Sequence, residues 1–448
     1  MSIVTRSLGL AVLIFINDVD ISINSDMFIF ADDITLAKTY NLLCNAESCL
    51  NTDLKTISEW AERWMVSFNF EKTVFINFSF KRKHANTPKI EFNGFQIKQV
   101  QEHKHLGIIM SQDLKWSKHI SYITSKANQR IGALYRQSQK MTRVQIETMF
   151  LSTIRPILEY GSVLFGNCTI SESKMIENVQ RRAAVLSTGA IRRTETLKLM
   201  GETGWDPLET RRERAKMSCF YQIAKGTSPL YLNEKISFRP PQLRSSRTLS
   251  RNNAQILEPQ CRTTCYQKSF FPHCIRIWNS LTNEIVNSTS VSVFSSRLLQ
   301  LPAFAHSKRS LDSLQYSKVL KGHTGRLVTQ FRLGLSPLRN ELFTYSITDN
   351  PFCPSCGESL ETLSQFLFEC PLYSNQRSIL LNDLTVLITH IKHDHNLTVD
   401  IDKQDDAKHI LINGLSLPFV DVNYCINSAI FNIASTFISS TARFNQRI

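Results

Sequence analysis

The sequence lacks any long hydrophobic run. No uninterrupted apolar segment in its 448 residues approaches the roughly 18 residues that a membrane-spanning helix needs, so we expect no membrane partner. The apolar segment from Leu8 to Ile16 follows Arg6, as in a secretory signal peptide, but it continues into Asn17 and Asp18 without a small-residue cleavage site. The sequence therefore predicts a buried strand or helix there rather than a secretion signal.

The sequence also lacks a regular cysteine framework. Its 11 cysteines are odd in number, scattered along the chain and mostly set among apolar residues. A small secreted domain held by disulfides shows an even number of cysteines at regular spacings. The observed pattern predicts a reducing, intracellular compartment, either the nucleus or the cytoplasm.

Acidic side chains are fewer than basic ones, and much of this difference lies in one segment of the chain. The chain carries 52 Lys and Arg against 38 Asp and Glu, a formal net charge of +14. Residues 115–225 hold 19 of the basic and only 9 of the acidic side chains. A concentrated excess of this kind is typical of a surface that binds a polyanion, since each phosphate contact releases counterions. A solvated helical surface that is merely basic is the other interpretation.

The most distinctive motif is the segment Phe30-Ala31-Asp32-Asp33. Apolar, strand-like residues lie on both sides, which places the two carboxylates at or beside the apex of a hairpin. Adjacent carboxylates suit Mg²⁺ when a third oxygen ligand converges on them. Asp is also a common turn residue, so a solvated turn remains an alternative on this motif alone.

The first 115 residues predict mixed α and β structure. Apolar residues at intervals of three and four predict a helix over about residues 42–65. The alternating segment 74–78 and the run His105–Met110 predict strands. The pair Asn93-Gly94, flanked by apolar residues, predicts a hairpin over residues 90–97.

From Trp116 the pattern becomes helical. Four start signals predict four helices that form a basic module over residues 116–230. Ser117, Thr142 and Ser171 are the expected caps of the first three, and Asp206 followed by Pro207 that of the fourth. The buried stripe of the first is Ile120, Ile123, Ala127, Ile131 and Leu134. Met149 and Met175 are expected in the stripes of the second and third.

The rest of the chain is less regular. Residues 239–251 are rich in Pro, Ser and Arg and predict a linker or an extended basic arm. Helices are expected near 325–335 and 420–445, with a cysteine-bearing loop at 353–370 between them. We therefore expect an α+β protein divided into residues 1–115, 116–230, 231–310 and 311–448.

Taken in order, several segments resemble the reverse transcriptases of non-LTR retrotransposons, in particular the LINE-type, jockey-like elements. The acidic box corresponds to Phe30-Ala31-Asp32-Asp33, and the order and spacing of the remaining segments follow the same family. These are Ser7-Leu8-Gly9-Leu10, Phe15-Ile16-Asn17-Asp18, Ser58-Glu59-Trp60-Ala61, Phe68-Asn69-Phe70-Glu71-Lys72-Thr73, His105-Leu106-Gly107, Trp116-Ser117-Lys118-His119-Ile120, Arg155-Pro156-Ile157-Leu158-Glu159-Tyr160-Gly161, Val179-Gln180-Arg181-Arg182-Ala183, Ser269-Phe270 and Ile277-Trp278-Asn279-Ser280-Leu281.

The resemblance implies an RNA-directed DNA polymerase that uses two Mg²⁺ ions for nucleotidyl transfer. It implies a partial palm with an antiparallel sheet and the acidic hairpin, then a helical thumb and a mostly helical C-terminal region. An RNA template, a DNA primer and deoxynucleoside triphosphates would be the partners. Asp32 and Asp33 would hold Mg²⁺, and Lys72 would protonate the pyrophosphate unless it is a plain surface lysine.

Further residues acquire expected roles from the same resemblance. Leu106 and Gly107 would seat the primer end through backbone contacts, although Gly107 is equally compatible with a β-bulge. Basic residues of the thumb-like helices would contact nucleic acid. These are Lys126, Arg130, Arg181 and Arg182.

The chain departs from the family upstream of the acidic box. Members carry another catalytic aspartate on an earlier strand, and neither Asp18 nor Asp20 corresponds to it. We therefore expect a truncated or late-starting copy that does not polymerise DNA alone. A non-catalytic protein that binds RNA or single-stranded DNA is the alternative, and an expressed remnant without selected activity is a third interpretation.

A second departure concerns the C-terminal cysteines. Cys353 and Cys356 have the two-residue spacing of metal ligands, and Cys370 follows. Many family members have a zinc knuckle here whose histidine position corresponds to Gln365, which we do not expect to bind zinc. Three thiolates remain a possible zinc site if water or a distant histidine completes it. The candidate histidines are His390, His393 and His395.

Overall fold

The structure is a computed structural model, and it describes most of the chain. The described residues are 19, 22–31, 33–40, 43–65, 67–69, 71–78, 88–191, 194–240, 252–305, 322–334, 336–395, 401, 403–415 and 420–444. The chain packs as two compact units, residues 1–119 and 120–448. The expected mixture of helices and small sheets is confirmed.

The described part of the first unit holds four two-stranded sheets and one long helix. Strands β1 and β2 pair antiparallel, as do β4 with β5 and β7 with β8, whereas β3 pairs parallel with β6. The bounds are β1 (Asp26–Phe30), β2 (Asp33–Ala37), α1 (Leu43–Arg63), β3 (Val74–Phe75), β4 (Glu91–Phe92), β5 (Phe95–Gln96), β6 (Lys98–Gln99), β7 (Glu102–His105) and β8 (Ile108–Ser111).

The apolar face of α1 forms the core of the first unit. Ile57, Trp60 and Ala61 are buried against Val19 and Phe92, as the spacing of apolar residues predicts. Inward-facing residues of the β1–β2 hairpin pack onto the same cluster. The acidic hairpin is therefore seated on α1.

Two tight turns shape the sheets of this unit. Asn93 and Gly94 both have positive φ, +48° and +76°, which a two-residue turn of this hand requires, so the predicted hairpin is confirmed. Leu106 and Gly107 repeat the geometry, at +46° and +85°. The prediction of one strand over His105–Met110 is wrong, because the chain reverses at Leu106-Gly107 to form the β7–β8 hairpin. Gly107 is a turn glycine rather than a bulge glycine.

The second unit is helical. Its described helices, the first of which begins just before the unit boundary, are α2 (Ser117–Gln137), α3 (Arg143–Met149), α4 (Arg155–Glu159), α5 (Ile170–Thr188), α6 (Thr196–Thr203), α7 (Leu208–Ala224), α8 (Leu230–Asn233), α9 (Thr264–Gln267), α10 (Phe270–Ser280), α11 (Asn283–Val286), α12 (Val291–Leu298), α13 (Gly322–Arg332), α14 (Arg339–Thr344), α15 (Ser374–His395), α16 (Gln404–Asn413) and α17 (Val420–Ser440). A π-helical turn, Phe150–Ile154, joins α3 to α4, and another covers Gln365–Glu369.

The expected helix starts are partly correct. Thr142 caps α3 in a capping box with Gln145, and the predicted stripe of α2 is buried throughout. Ser171 is not the cap of α5, because Thr169 forms the capping box with Glu172. Asp206 is not the cap of α7 either; Pro207 occupies that position and the Asp206 carboxylate pairs with Arg214 instead.

Two apolar cores stabilise the C-terminal two-thirds of the chain. One is built around Trp278 and Phe294 with residues of α7. The other surrounds Phe366 and Phe431 and includes Cys353 and Cys370. Met149 and Met175, predicted to be buried, are exposed instead.

Two of the sequence predictions concern residues that the structure does not describe, and two others are confirmed. Most of the predicted linker, residues 241–251, lies outside them, as does the apolar segment from Leu8 to Ile16. The helices expected near 325–335 and 420–445 are confirmed by α13 and α17. Among the described helices, none has both the length and the apolar character needed to cross a membrane.

Candidate functional site

The acidic motif forms the apex of the β1–β2 hairpin. Phe30 of β1 pairs with Asp33 of β2 at this end of the hairpin, and Ala31 follows Phe30 in the turn. Ala31 has a φ of +53°, in the left-handed region typical of tight hairpin turns. Asp33 is exposed at the start of β2, so its carboxylate is accessible to a cation. Asp32 itself lies outside the described residues.

The β7–β8 hairpin lies beside the acidic hairpin. The Thr35 hydroxyl of β2 is 3.5 Å from His105 Nε2 of β7. Thr35 follows Asp33 by two residues and therefore shares its face of the strand, and His105 directly precedes the turn at Leu106 and Gly107. The acidic hairpin and the turn at Leu106 and Gly107, which the sequence analysis assigned to different roles, are thus neighbours in the first unit.

His119 forms a hydrogen bond with the β7–β8 hairpin. Its Nδ1 accepts a hydrogen bond of 3.3 Å from the backbone N–H of Ile109 in β8. Burial lowers the pKa of the His119 imidazole, since desolvation disfavours the charged form. A neutral imidazole is the form that can accept this hydrogen bond.

Asp53 anchors the acidic hairpin, and the sequence analysis missed it. This fully buried carboxylate on α1 accepts hydrogen bonds from the backbone N–H groups of Asn24 and Ser25, both at 2.9 Å, and from the Asn24 side chain at 3.2 Å. Asn24 and Ser25 directly precede β1. Burial raises the pKa of Asp53, but the hydrogen bonds from Ser25 and Asn24 outweigh it and lower the pKa below its ordinary value.

We expect Asp53→Asn to loosen the hairpin and destabilise the first unit by about 1–3 kcal/mol, because one carboxylate oxygen that accepts a backbone N–H is replaced by a donor. The lowered pKa of Asp53 makes its contribution to stability complete above the unfolded-state pKa near 4 and lost as the pH falls through the folded-state value. Urea unfolding between pH 3 and 7 measures both effects. The exposed Asp26→Asn is the matched control, and equal stabilities of the two variants at pH 7 would contradict this role.

Lys72 lies in the turn between α1 and β3. Its side chain is exposed, and its backbone N–H donates to Asn69, at 3.3 Å to the carbonyl and 3.2 Å to the side-chain oxygen. Nothing in the described geometry joins the Lys72 ammonium to Asp33. Its proposed role as a proton donor therefore stays a prediction.

Three of the four expected nucleic-acid-binding cations are exposed on α2 and α5. Lys126 and Arg130 are exposed one helical turn apart on α2. Arg182 of α5 is also exposed and donates to the Asn128 side chain of α2 at 2.6 Å, which brings the two helices together. Arg130 also donates to the carbonyl of Thr153 at 2.7 Å. We use the name α2–α5 basic surface for these three exposed cations, Lys126, Arg130 and Arg182.

Arg181 has a different environment. It is half-buried, and its Nη2 donates to the carbonyl of Thr194 at 2.9 Å. Other cations of the basic segment, including Arg143 and Lys216, are buried and ion-paired within the helical unit. The net charge of this segment therefore overstates the number of cations available to a polyanion.

The three C-terminal cysteines converge. The sulfur atoms of Cys353, Cys356 and Cys370 lie within 4.8 Å of one another, the one group of its kind that a metal could use among the described residues. Cys353 Sγ and Cys370 Sγ are 4.0 Å apart. Tetrahedral zinc with Zn–S bonds of about 2.3 Å brings its sulfur ligands about 3.8 Å apart. The cluster therefore fits zinc in both donor type and spacing.

Comparison with known proteins finds that the chain is similar to RNA-directed DNA polymerases of non-LTR retrotransposons. It is 29% identical over 157 residues to a probable RNA-directed DNA polymerase from transposon BS of Drosophila melanogaster, covering 34% of this chain and 17% of that protein. No family model matches the chain.

Two further relatives agree. The RNA-directed DNA polymerase from mobile element jockey of Drosophila melanogaster is 27% identical over 164 residues, 36% of this chain and 18% of that protein. The retrovirus-related Pol polyprotein from type-1 retrotransposable element R1 of Bradysia coprophila is 26% identical over 209 residues, 45% of this chain and 20% of that protein. The chain thus spans at most about a fifth of the curated relatives it matches.

Proposed function

We propose that this chain carries part of the active site and the nucleic-acid-binding helices of an RNA-directed DNA polymerase. The observation that carries the proposal is the hairpin with Asp33 beside its apex, held next to the β7–β8 turn by the Thr35–His105 contact. Similarity to the transposon polymerases supports it. Residues 1–115 would then be palm-like and residues 116–230 thumb-like.

The proposed chemistry follows the resemblance to these polymerases. Asp32 and Asp33 would hold Mg²⁺ through carboxylate oxygens, the ligands that this ion prefers. When bound, a pair of such ions supplies charge stabilisation to the attacking and leaving oxygens of a phosphoryl transfer. The backbone at Leu106 and Gly107 would position the primer terminus beside Asp33, and Lys72 would supply the proton for pyrophosphate.

Iron-directed cleavage tests the metal site. Fe²⁺ replaces Mg²⁺ and, with ascorbate and peroxide, generates hydroxyl radicals that cut the backbone near the bound ion. We expect cuts in residues 26–37 and 102–111 of the zinc-saturated full chain, suppressed by excess Mg²⁺ and absent from Asp32→Asn/Asp33→Asn. The control variant Asp26→Asn changes a residue at the other end of β1, and we expect it to be cut at the same positions as the unchanged chain. Identical cleavage in the double variant, or none at either hairpin, would contradict the proposal.

A second candidate function is non-catalytic binding of RNA or single-stranded DNA. The α2–α5 basic surface favours it, because this surface needs no residue of the acidic hairpin. The two functions differ in their dependence on the carboxylates. A binder is indifferent to Asp32→Asn/Asp33→Asn, whereas a polymerase site loses Mg²⁺-dependent binding of deoxynucleoside triphosphates in that variant.

We also propose that Cys353, Cys356 and Cys370 bind one zinc ion. The fit of their sulfur spacing supports this. Bound zinc would stabilise the local fold, because structural zinc sites form only with their folded surroundings. The exposed His390 is less suited than a buried group to complete the site, and the side chains of His393 and His395 lie outside the described residues.

A further inference from the structure

A tight turn carries the first two cysteines, Cys353 and Cys356. Gly357 directly follows Cys356 at a φ of +73°, and its N–H donates to the carbonyl of Cys353 at 2.8 Å. The backbone N–H groups of Glu358 and Ser359 lower the pKa of the Cys356 thiol. Amide donors around a sulfur stabilise its thiolate form, which is the form that binds metals.

A buried amide lies beside the cluster. Gln365 is 2% exposed, and its Nε2 lies 3.4 Å from Cys356 Sγ. Its Oε1 is buried and accepts no hydrogen bond from the described residues. The amide is thus fixed beside the cluster with one polar atom facing Cys356 Sγ, and either Nε2 or Oε1 can take that position.

We propose that Gln365 is the fourth zinc ligand and coordinates through Oε1, which would give a Cys₃Gln site. This inference rests on the proposed zinc binding and replaces the expectation that water or a distant histidine completes the site. A half-turn of the amide about its Cγ–Cδ bond exchanges Oε1 and Nε2 and places the oxygen beside the sulfur atoms. Amide oxygen is a weaker zinc ligand than imidazole, but the burial of Gln365, Cys353 and Cys370 limits the access of competing water.

The surrounding charges suit three thiolates. Zinc with three thiolates and a neutral amide carries a net charge of −1, which burial makes costly unless a cation is near. Arg443 lies close enough to Cys353 to interact electrostatically, and Glu361 holds it in place at 2.6 and 2.8 Å. Arg377 donates to the carbonyl of Cys370 at 2.5 Å. Both guanidinium groups therefore flank the cluster.

Metal binding by the full chain and its Gln365 variants tests the inference. We expect one zinc per chain in the unchanged protein by atomic emission. Gln365→Leu should weaken zinc binding by at least about tenfold, whereas Gln365→His and Gln365→Glu should bind at least as tightly as the unchanged chain. Gln376→Leu removes another amide whose Oε1 is buried without a partner and is the control that should leave zinc affinity unchanged.

Cobalt spectroscopy separates ligation from a merely supporting role. With Co²⁺ in place of zinc, we expect the visible bands of the unchanged chain to be insensitive to added imidazole, because Gln365 fills the fourth position. In Gln365→Ala that position opens, so imidazole should bind and shift the bands. A shift of equal size in the unchanged chain means that water, not Gln365, is the fourth ligand, and overturns the inference.

The outcomes also separate this inference from the zinc proposal itself. Absence of zinc and Co²⁺ binding from both the unchanged chain and Gln365→His would refute the zinc site as a whole. One zinc per chain with the same affinity in Gln365→Leu would refute only the role of Gln365. Circular dichroism of each metal-free variant shows whether a loss of metal reflects a loss of fold.

Discussion

Removal of the α2–α5 basic surface should weaken binding of an RNA–DNA hybrid by more than about tenfold at 50 mM salt. In Lys126→Ala/Arg130→Ala/Arg182→Ala, three phosphate contacts are lost, and each contributes about 0.9 to the slope of log affinity against log salt on duplex. The slope should therefore fall by about 2 to 3. Fluorescence anisotropy across a salt series measures both the affinity and the slope.

The control for this variant removes the same charge elsewhere. Lys225, Lys392 and Lys403 are exposed and lie outside α2 and α5, so their triple alanine variant lowers the net charge equally. If the affinity and the slope of log affinity against log salt fall equally in the two triple variants, binding follows net charge alone. The α2–α5 basic surface then has no specific role. Arg181→Ala should have a smaller effect on the slope, because the Arg181 side chain is half-buried whereas the other three are exposed.

Arg143→Ala should destabilise the helical unit by about 3–5 kcal/mol, the usual cost of leaving a buried partner charge uncompensated. Arg143 of α3 lies 2.7 Å from Glu147 of the same helix and 2.7 Å from Glu202 of α6. Its Nη2 also donates to the Glu202 carbonyl at 2.9 Å. Burial alone lowers the pKa of Arg143, but Glu202 and Glu147 outweigh it and raise the pKa, so the guanidinium remains charged.

The midpoint of urea unfolding, followed by a helix signal, measures this effect. Arg136 is exposed near the end of α2, and Arg136→Ala is the matched control, with an expected change within about 0.5 kcal/mol. Glu202 also lies 3.5 Å from Arg332 of α13, so it retains one cation in the variant. If Arg143→Ala is as stable as the control, the network does not hold α3 to α6.

Local signals predict the local structure well. The φ preference of Asn93-Gly94 identifies its hairpin, and the three- and four-residue spacing of Ile120 through Leu134 identifies the buried face of α2. The sequence prediction misplaces the start of α5 by two residues, because both Ser171 and Thr169 are residue types that cap helices well. Only Thr169 is three residues before Glu172 and so forms the reciprocal capping box.

The contacts that build the candidate sites could not be predicted, because they join distant residues. Thr35 and His105 are 70 residues apart, and no local pattern indicates that they meet. Asp53 is different: it stands three and four residues from Leu50 and Ile57 in the apolar stripe of α1, and a carboxylate in such a stripe signals a buried partner. The same reasoning applies to Gln365, whose burial is a tertiary property.

Crosslinking from the primer terminus tests the central claim most directly. A DNA primer with a photoreactive 3′-terminal nucleotide is annealed to an RNA template, irradiated with the full chain in Mg²⁺, and the attached peptides are identified by mass spectrometry. We predict crosslinks in residues 26–37 and 102–111 that require the RNA template and are lost in Asp32→Asn/Asp33→Asn. Crosslinks confined to the helices of the second unit, or unchanged in that variant, would contradict a polymerase site at the acidic hairpin.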